Sequence, residues 1–183
     1  EVGNARIAST ALKLETVAAG GGSCCGFDGE RLYVGPESAG ADPGPAAYGA
    51  GGPLTLTDVH LILGRLDPSA FSIPVSLDAA RRAMDKIVSE VGQGTVESIA
   101  EGFLDIANER MAQAIRAVSL RDGEDPADFG LVSFGGAGGL HACAIAEMLG
   151  VSEITFPSDA GILSAAGLAQ SVLESIQEKQ ILG

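Results

Sequence analysis

Two glycine-rich stretches are the parts of this sequence whose residue types and spacing could do chemistry. The first reads AAGGGS over residues 18–23, and the second reads FGGAGG over residues 134–139. Because glycine has no Cβ atom, the backbone N–H groups of such a turn can lie directly against a flat ring or a phosphate. No lysine of a phosphate loop follows the second stretch, and it does not read GxGxxG. The spacing leaves two interpretations open, a nucleotide-binding turn and a tight turn without a ligand.

Few other side chains are placed for chemistry. Asp58 follows Thr57 at an expected helix start, which fits either stabilisation of the helix dipole or a metal or phosphate role in a cleft. His60 is expected on the helix surface rather than as a catalytic base. His141 is expected to pack or cap, with contact to a nucleotide as the alternative. Arg116 is expected either to pair with a carboxylate or to reach a phosphate.

Composition limits the class of protein. The chain has 183 residues, 46% of them hydrophobic, with 26 glycines, which indicates a compact α/β protein of one domain or two small lobes. Its formal charge of −13 repels phosphate backbones, so nucleic acid is not an expected partner. No apolar run approaches the roughly 20 residues needed to cross a bilayer, so no membrane partner is expected.

The cysteines indicate a reducing compartment. Cys24, Cys25 and Cys143 form neither a disulfide framework nor a CxxC pair, and no cluster of histidines accompanies them. We expect them to be small buried side chains in a cytoplasmic protein without structural zinc.

The elements that must position the two glycine turns follow from periodicity. A half-buried strand is expected at Leu12–Thr16 before the first turn, and a hairpin over 24–35 after it, with its turn at 27–29. The stretch 35–53 is so rich in glycine and proline that we expect an ordered, wrapped loop. Thr57 is expected to cap a short helix that ends near residue 63.

The second half alternates helices with strands. Thr95 is expected to cap the longest helix, with Ser98 where the Glu of a capping box would stand, so the box is expected to be incomplete. The alternation predicts a parallel or mixed sheet with packed helices. We expect one lobe in which 1–75 form the hairpin and loop region and 76–183 the helical α/β region. The expected segments are helices over 77–91, 95–120, 140–149 and 158–176, and strands over 131–134 and 153–156.

Five stretches, taken together, resemble the hydantoinase A / 5-oxoprolinase family, which includes a subunit of acetone carboxylase. The similarity runs in register over nearly the whole chain, and GPESAGADPGP is its most specific part. The NERMAQAIR stretch contributes the spacing of Asn108, Met111 and Arg116. The stretches are AAGGGS (18–23), VGPESAGADPGPAAYGAGGPLTLTD (34–58), NERMAQAIR (108–116), SFGGAGGLHACAIAEMLG (133–150) and AGILSAAGL (160–168).

The resemblance implies an actin-like ATPase fold of the ribonuclease H-like type, with two lobes around a nucleotide cleft. It implies that ATP, with Mg²⁺, activates a cyclic amide or a ketone. Asp58 is the candidate metal ligand. The resemblance would place Phe134, Gly135, Gly136, Ala137 and Gly138 against adenosine, and Gly20, Gly21, Gly22 and Ser23 in the lining of the cleft.

One departure from the family bears on completeness. Such ATPases need an Asp-x-Gly-Gly-Thr type phosphate motif, and the stretch VAAGGGS lacks its carboxylate. We therefore expect an incomplete fragment, the C-terminal part of a larger ATPase-like unit. Its implied partners are the missing N-terminal lobe of the same protein and a hydantoinase B-type subunit or domain, and homo-oligomers are left open.

The sequence thus predicts the nucleotide-binding part of an ATP-dependent cyclic-amide hydrolase, acting on a hydantoin- or 5-oxoproline-like ring. The isolated chain is expected to be inactive, because half a cleft cannot position a phosphoryl group. Two alternatives stay open, a subunit of an ATP-dependent ketone carboxylase and a non-catalytic structural or assembly module.

Overall fold

The computed structural model describes residues 14–171, and within them helices outweigh strands. The class is mixed α/β with small sheets, as the alternation of elements predicts. None of the helices in this range is long and apolar enough to span a bilayer. The strands are β1 (Ser23–Phe27), β2 (Leu32–Ser38), β3 (Leu131–Val132) and β4 (Ile154–Thr155), and the helices are α1 (Leu56–Ile62), α2 (Leu77–Val91), α3 (Val96–Asp122), α4 (Ala142–Leu149) and α5 (Leu163–Gln170).

The strands form two separate two-stranded sheets in this part of the chain, rather than one mixed sheet. β1 and β2 pair antiparallel, which confirms the predicted hairpin, and Asp28 closes the turn by accepting the N–H groups of Glu30 and Arg31 at 2.9 Å each. β3 and β4 pair parallel over only two residues each. Both are shorter than predicted. β3 ends early because Gly135, with φ of 88°, turns the chain into a 3-10 helix over Ala137–Leu140.

Two helix starts differ from expectation. The box at α3 is complete, because the Ser98 hydroxyl accepts the Thr95 N–H at 2.9 Å and Thr95 Oγ1 accepts the Ser98 N–H at 3.2 Å. A serine therefore replaces the usual glutamate. α1 begins after Thr55 rather than Thr57, because Asp58 accepts hydrogen bonds from both the N–H and the hydroxyl of Thr55.

The elements predicted near the two ends of the chain lie only partly within the described residues. Of the expected first strand, only residues 14–16 are described, and they lie in no strand. Leu14 is 81% exposed. The rest of that strand lies outside the described residues. A 3-10 helix over Ala160–Ile162 precedes α5, and the part of the expected 158–176 helix beyond residue 171 also lies outside them.

The largest core lies between the hairpin, α1, α2 and α3. Its fully buried members include Val34 of β2, Leu56 and Val59 of α1, Met84 of α2 and Phe103 of α3. Burying each of these side chains contributes about 1.5–3 kcal/mol. This core draws on residues from both sides of the expected division at 75 and 76, and the division itself stays a prediction.

The glycine- and proline-rich loop over 35–53 is folded against α1. Ala46 and Ala47 are buried, and their N–H groups donate to the Asp58 carboxylate at 3.1 and 2.7 Å. A Cβ atom on Gly52 would lie 1.8 Å from the carbonyl oxygen of Gly44, so only glycine fits there. The loop is therefore held by specific backbone contacts, and it carries Tyr48 to the site described next.

Candidate functional site

The two glycine turns meet at one cavity of about 460 Å³, within the range of small-molecule sites. Gly21 comes from the first turn, and Gly136, Ala137 and Gly139 come from the second. A Cβ atom on Gly21 would lie 3.5 Å from the Cβ atom of Ala137, so the turns are nearly in contact. The remaining wall is supplied by Tyr48, Thr57, His60, Leu66, Phe71 and Leu140.

The first turn is fixed to α1. Ser23 Oγ accepts the N–H of Gly20 at 2.9 Å, which closes the turn on itself. The carbonyl oxygen of Gly21 accepts both the N–H and the hydroxyl of Thr57, at 2.9 Å each. A Cβ atom on Gly21 would approach Thr57 Oγ1 to 2.8 Å, so the turn and the helix are packed too closely for a side chain there.

The second turn leaves its backbone open. Gly135 donates its N–H to the carbonyl oxygen of Ala160 at 2.8 Å, which anchors the entry of the turn. A Cβ atom on Gly136 would have no heavy atom within 4 Å, and φ at Gly136 is −82°. The carbonyl oxygen of Gly138 accepts the N–H of His141, which leads into α4. The open face at Gly136 is therefore space in which a ligand could lie.

The nine residues expected at a nucleotide fall into three groups. Gly21, Gly136 and Ala137 line the cavity. Phe134 and Gly138 instead line an apolar groove of about 480 Å³ beside α3, where Phe134 is 51% exposed. Gly20, Gly22 and Gly135 belong to the two turns and Ser23 begins β1, and these four residues line neither of the two spaces. The structure thus brings the two glycine stretches together, and the contact of each residue with a nucleotide stays a prediction.

Behind the cavity lies a chain of three buried polar side chains. His60 Nε2 lies 3.3 Å from His141 Nε2, and His141 Nδ1 lies 2.7 Å from Asn108 Oδ1. The two rings meet edge to face, at 75°. His60 and His141 are each 1% exposed, so the expectation of a surface position for His60 is wrong, whereas the packed role of His141 is confirmed.

Burial sets the protonation state of the two histidines. It lowers the pKa of His60 to about 4, and the nearby charges of His141 and Arg65 act in the same direction. Burial also lowers the pKa of His141, with Arg65 again adding to the effect. Both imidazoles are therefore neutral near neutral pH, and each must carry one proton on one of its two nitrogens.

The Asp58 carboxylate accepts hydrogen bonds from neighbouring backbone N–H groups and does not face the cavity. Its Oδ2 accepts the N–H groups of Ala46 and Thr55 and the hydroxyl of Thr55, and its Oδ1 accepts the N–H of Ala47. Burial raises the pKa of this carboxyl, while the same hydrogen bonds act to lower it. Among residues 14–171 no group of three His, Cys, Asp or Glu side chains could hold a metal ion. Both oxygens of Asp58 are engaged by protein donors, which does not suit a ligand of Mg²⁺, and the metal role of Asp58 stays an untested prediction.

Arg116 and the cysteines lie away from the cavity. Arg116 donates to the carbonyl oxygen of Met148 at 2.6 Å and lies 3.5 Å from Glu109 Oε1, so the carboxylate pairing of its two expected roles is present. Cys25 is buried and Cys24 half-buried, and burial raises the pKa of both thiols, which makes them poor nucleophiles. Cys143 is exposed, so the expectation of burial is wrong there.

Several lining residues were missed by the sequence reasoning. Leu66 and Phe71 belong to the connector between α1 and α2, where the only signal was large apolar side chains in a polar segment. His60 was missed because five of the seven residues of α1 are buried, so the helix has no solvated face that periodicity could reveal.

The chain matches the Hydantoinase/oxoprolinase family over residues 1–177. It is 46% identical to the 5-oxoprolinase PfmaA of Pestalotiopsis fici over 89% of this chain and 14% of that protein. It is 43% identical to the 5-oxoprolinase of Saccharomyces cerevisiae over 94% of this chain and 14% of that protein. With the caprolactamase subunit alpha of Pseudomonas jessenii it shares 39% identity over 96% of this chain and 26% of that subunit.

Two solved structures share the fold. The ATP-dependent caprolactamase from Pseudomonas jessenii superposes with a TM-score of 0.77 and 42% identity, over 85% of this chain and 23% of that one. The nucleotide-free acetone carboxylase superposes with a TM-score of 0.74 and 30% identity, over 82% of this chain and 22% of that one. The chain thus spans about a quarter or less of the proteins it resembles, and its similarity covers both glycine turns. It belongs to the hydantoinase/oxoprolinase family.

Proposed function

We propose that this chain is the nucleotide-binding part of an ATP-dependent hydrolase of cyclic amides, of the hydantoin or 5-oxoproline type. The observation that carries the proposal is the meeting of the two glycine turns at one cavity, with the backbone at Gly136 open. The names of the relatives support it, since they include 5-oxoprolinases and an ATP-dependent caprolactamase. We further propose that the chain forms one lobe of an actin-like ATPase fold.

In this proposal the backbone at Gly136 and Ala137 forms the floor on which a purine ring lies. The apolar side chains of Leu66, Phe71 and Leu140 border the same space and would exclude water from the ring. Bound ATP would supply the phosphoryl group that activates the amide oxygen of the substrate. The part of this chain is to bind and orient the nucleotide.

Gly136→Val tests the floor directly. The valine has open space, and φ of −82° with ψ of −80° lies at the edge of the helical region, so the fold should keep a melting temperature close to the original while the side chain fills the space of the ring. Isothermal titration of the purified chain with ATP should show at least about a tenfold loss of affinity, equivalent to about 1.4 kcal/mol.

Gly167→Val is the matched control, because Gly167 also has nothing within 4 Å of a Cβ atom and lies on α5, away from the cavity. It should bind ATP like the original chain. Equal ATP affinity of the Gly136→Val variant and the original chain would overturn the proposed floor. Unfolding of the Gly136→Val variant would instead favour the alternative of a purely structural turn in an assembly module.

A ketone carboxylase subunit is the second candidate, and the similarity to acetone carboxylase supports it. Its lower identity, 30% against 42% for the caprolactamase, makes it the less supported of the two. A product assay with a cyclic amide and with a ketone plus bicarbonate would separate them in an assembled enzyme.

The relatives are several times longer than this chain, so its partners are also part of the proposal. We propose that an N-terminal lobe of the same protein and a hydantoinase B-type subunit or domain complete the enzyme. The apolar groove beside α3 supports a covered surface there, because Val132 and Phe134 are both about half exposed on it. The groove could also join two copies of this chain in a homo-oligomer, and sedimentation of the purified chain by analytical ultracentrifugation would reveal it.

A further inference from the structure

The buried chain of His60, His141 and Asn108 joins the helices that carry the two glycine turns. Thr57, one turn of α1 before His60, holds the carbonyl oxygen of Gly21. His141 stands directly before α4, and its N–H is bonded to Gly138 of the second turn. The contact between the two imidazoles is thus a polar link across the back of the cavity, from one turn to the other.

The proton positions on His60 and His141 follow from counting donors and acceptors. Asn108 Oδ1, as the amide is oriented here, can only accept, so His141 Nδ1 carries a proton and donates it. A neutral His141 then has a bare Nε2, which accepts from the N–H of His60 Nε2. His60 Nδ1 is left as a bare acceptor, and it is buried without a hydrogen-bond partner among the described residues.

The opposite direction is less favourable. If the Asn108 amide were reversed, its N–H would donate to His141 Nδ1, and His141 Nε2 would donate to His60 Nε2. His60 Nδ1 would then carry a buried N–H with no acceptor. Buried N–H groups without a partner are rarer in proteins than under-satisfied acceptors. The lone position of Nδ1 therefore favours a chain that runs from His60 through His141 to Asn108.

We propose that His60 is a positioning residue that sets the separation of the two glycine turns, through this directed hydrogen-bond chain. His60 also lines the cavity, and Asn108 fixes the far end of the chain on α3, the longest helix. The role of this separation in nucleotide binding rests on the proposed function. The inference that the three side chains hold the two turns rests only on the contacts above.

The proton positions can be tested without any ligand. Long-range ¹H–¹⁵N correlation spectra of the labelled chain distinguish the two neutral imidazole tautomers. The expected result is a proton on Nδ1 of His141 and on Nε2 of His60. The reverse assignment for either ring would overturn the directed chain.

The positioning role is tested with two substitutions at the same site. His60→Gln keeps an N–H donor at about the reach of Nε2, whereas His60→Leu fills the space without one. In His60→Leu the backbone amide signals of Gly21 and of Gly136 should both move, and ATP should bind at least about tenfold more weakly. His60→Gln should restore the amide signals and bring the dissociation constant to within about threefold of the original.

The outcomes separate this inference from the proposed function. If the original chain does not bind ATP, the proposed function fails, and the glycine amide signals still decide whether His60 positions the turns. If His60→Leu leaves the amide signals of both turns in place, the positioning role is wrong. The same conclusion follows if His60→Gln disturbs those signals as much as His60→Leu does, since the donor would then not be what matters.

Discussion

The buried, neutral His60 predicts that acid destabilises this protein, and that the contribution of this one side chain can be measured. An imidazole has an ordinary pKa of about 6.5, and burial lowers the pKa of His60 to about 4. Between these two values the unfolded chain binds a proton that the folded chain refuses. Stability is therefore unaffected above about pH 6.5, falls as the pH drops below it, and levels off below about pH 4.

The size of the effect follows from the shift. A difference of about 2.5 pKa units corresponds to about 3 kcal/mol in total, and about 2 kcal/mol of it falls between pH 7 and pH 5. The assay is urea unfolding followed by circular dichroism at several pH values, for the original chain and for His60→Gln. Because His141 is present in both proteins, the difference between their free energies of unfolding reports the loss of His60 together with its coupling to His141.

The expected result is a pH dependence that is steeper in the original chain by about 2 kcal/mol over this range. His60→Gln should lose less stability in acid, because its amide does not titrate. Parallel curves for the two proteins would refute the reasoning, since they would mean that His60 accepts a proton as readily in the folded chain as in the unfolded one.

Three substitutions and one activity measurement test other parts of the structure. Asp58→Ala should lower the free energy of unfolding by at least about 2 kcal/mol in urea titrations, because the buried N–H groups of Ala47 and Thr55 lose their acceptor, and an unchanged free energy would contradict this. Gly52→Ala should be more damaging in melting experiments than Gly49→Ala, since only its Cβ atom meets backbone at 1.8 Å, and equal losses would contradict this. Phe103→Ala should lower the free energy of unfolding by about 3–5 kcal/mol, because the ring is fully buried, and a loss below about 1 kcal/mol would contradict the packing. The isolated chain should hydrolyse ATP far more slowly than the 1–100 s⁻¹ typical of kinases, as measured by phosphate release, and turnover in that range would refute the expectation of a half cleft.

The sequence was most informative where local signals were strong. The hairpin, α2 and α3 were predictable because turn residues, helix caps and a one-sided apolar pattern agree there. α1 was harder, since burial on nearly all sides removes the periodicity that would have marked His60 as an interior residue. β3 and β4 were predicted too long, because apolar residues past their ends, such as Phe134 and Phe156, are half exposed rather than paired.

The candidate site was predictable only in part. The glycine stretches could be singled out from residue type, and the resemblance implied that both face one cleft, which fits their shared cavity. Phe134 and Gly138 could not be assigned a side of the turn, because spacing does not say which way a backbone in a 3-10 helix faces. The partnership of His60 with His141 joins residues far apart in the chain, and no local pattern announces such a contact.

The hydrogen bonds of Asp58 have a consequence for how this protein opens to solvent. Ala47 donates to a side chain on α1 rather than to any strand, so its amide proton loses protection when the first turn of α1 frays, whereas Ala46 shares its N–H between that side chain and the carbonyl oxygen of Pro53. Loop and helix should thus exchange with deuterium as one cooperative unit, with a single opening free energy. A segment with the composition of a loose connector would then be as protected as the helix it covers.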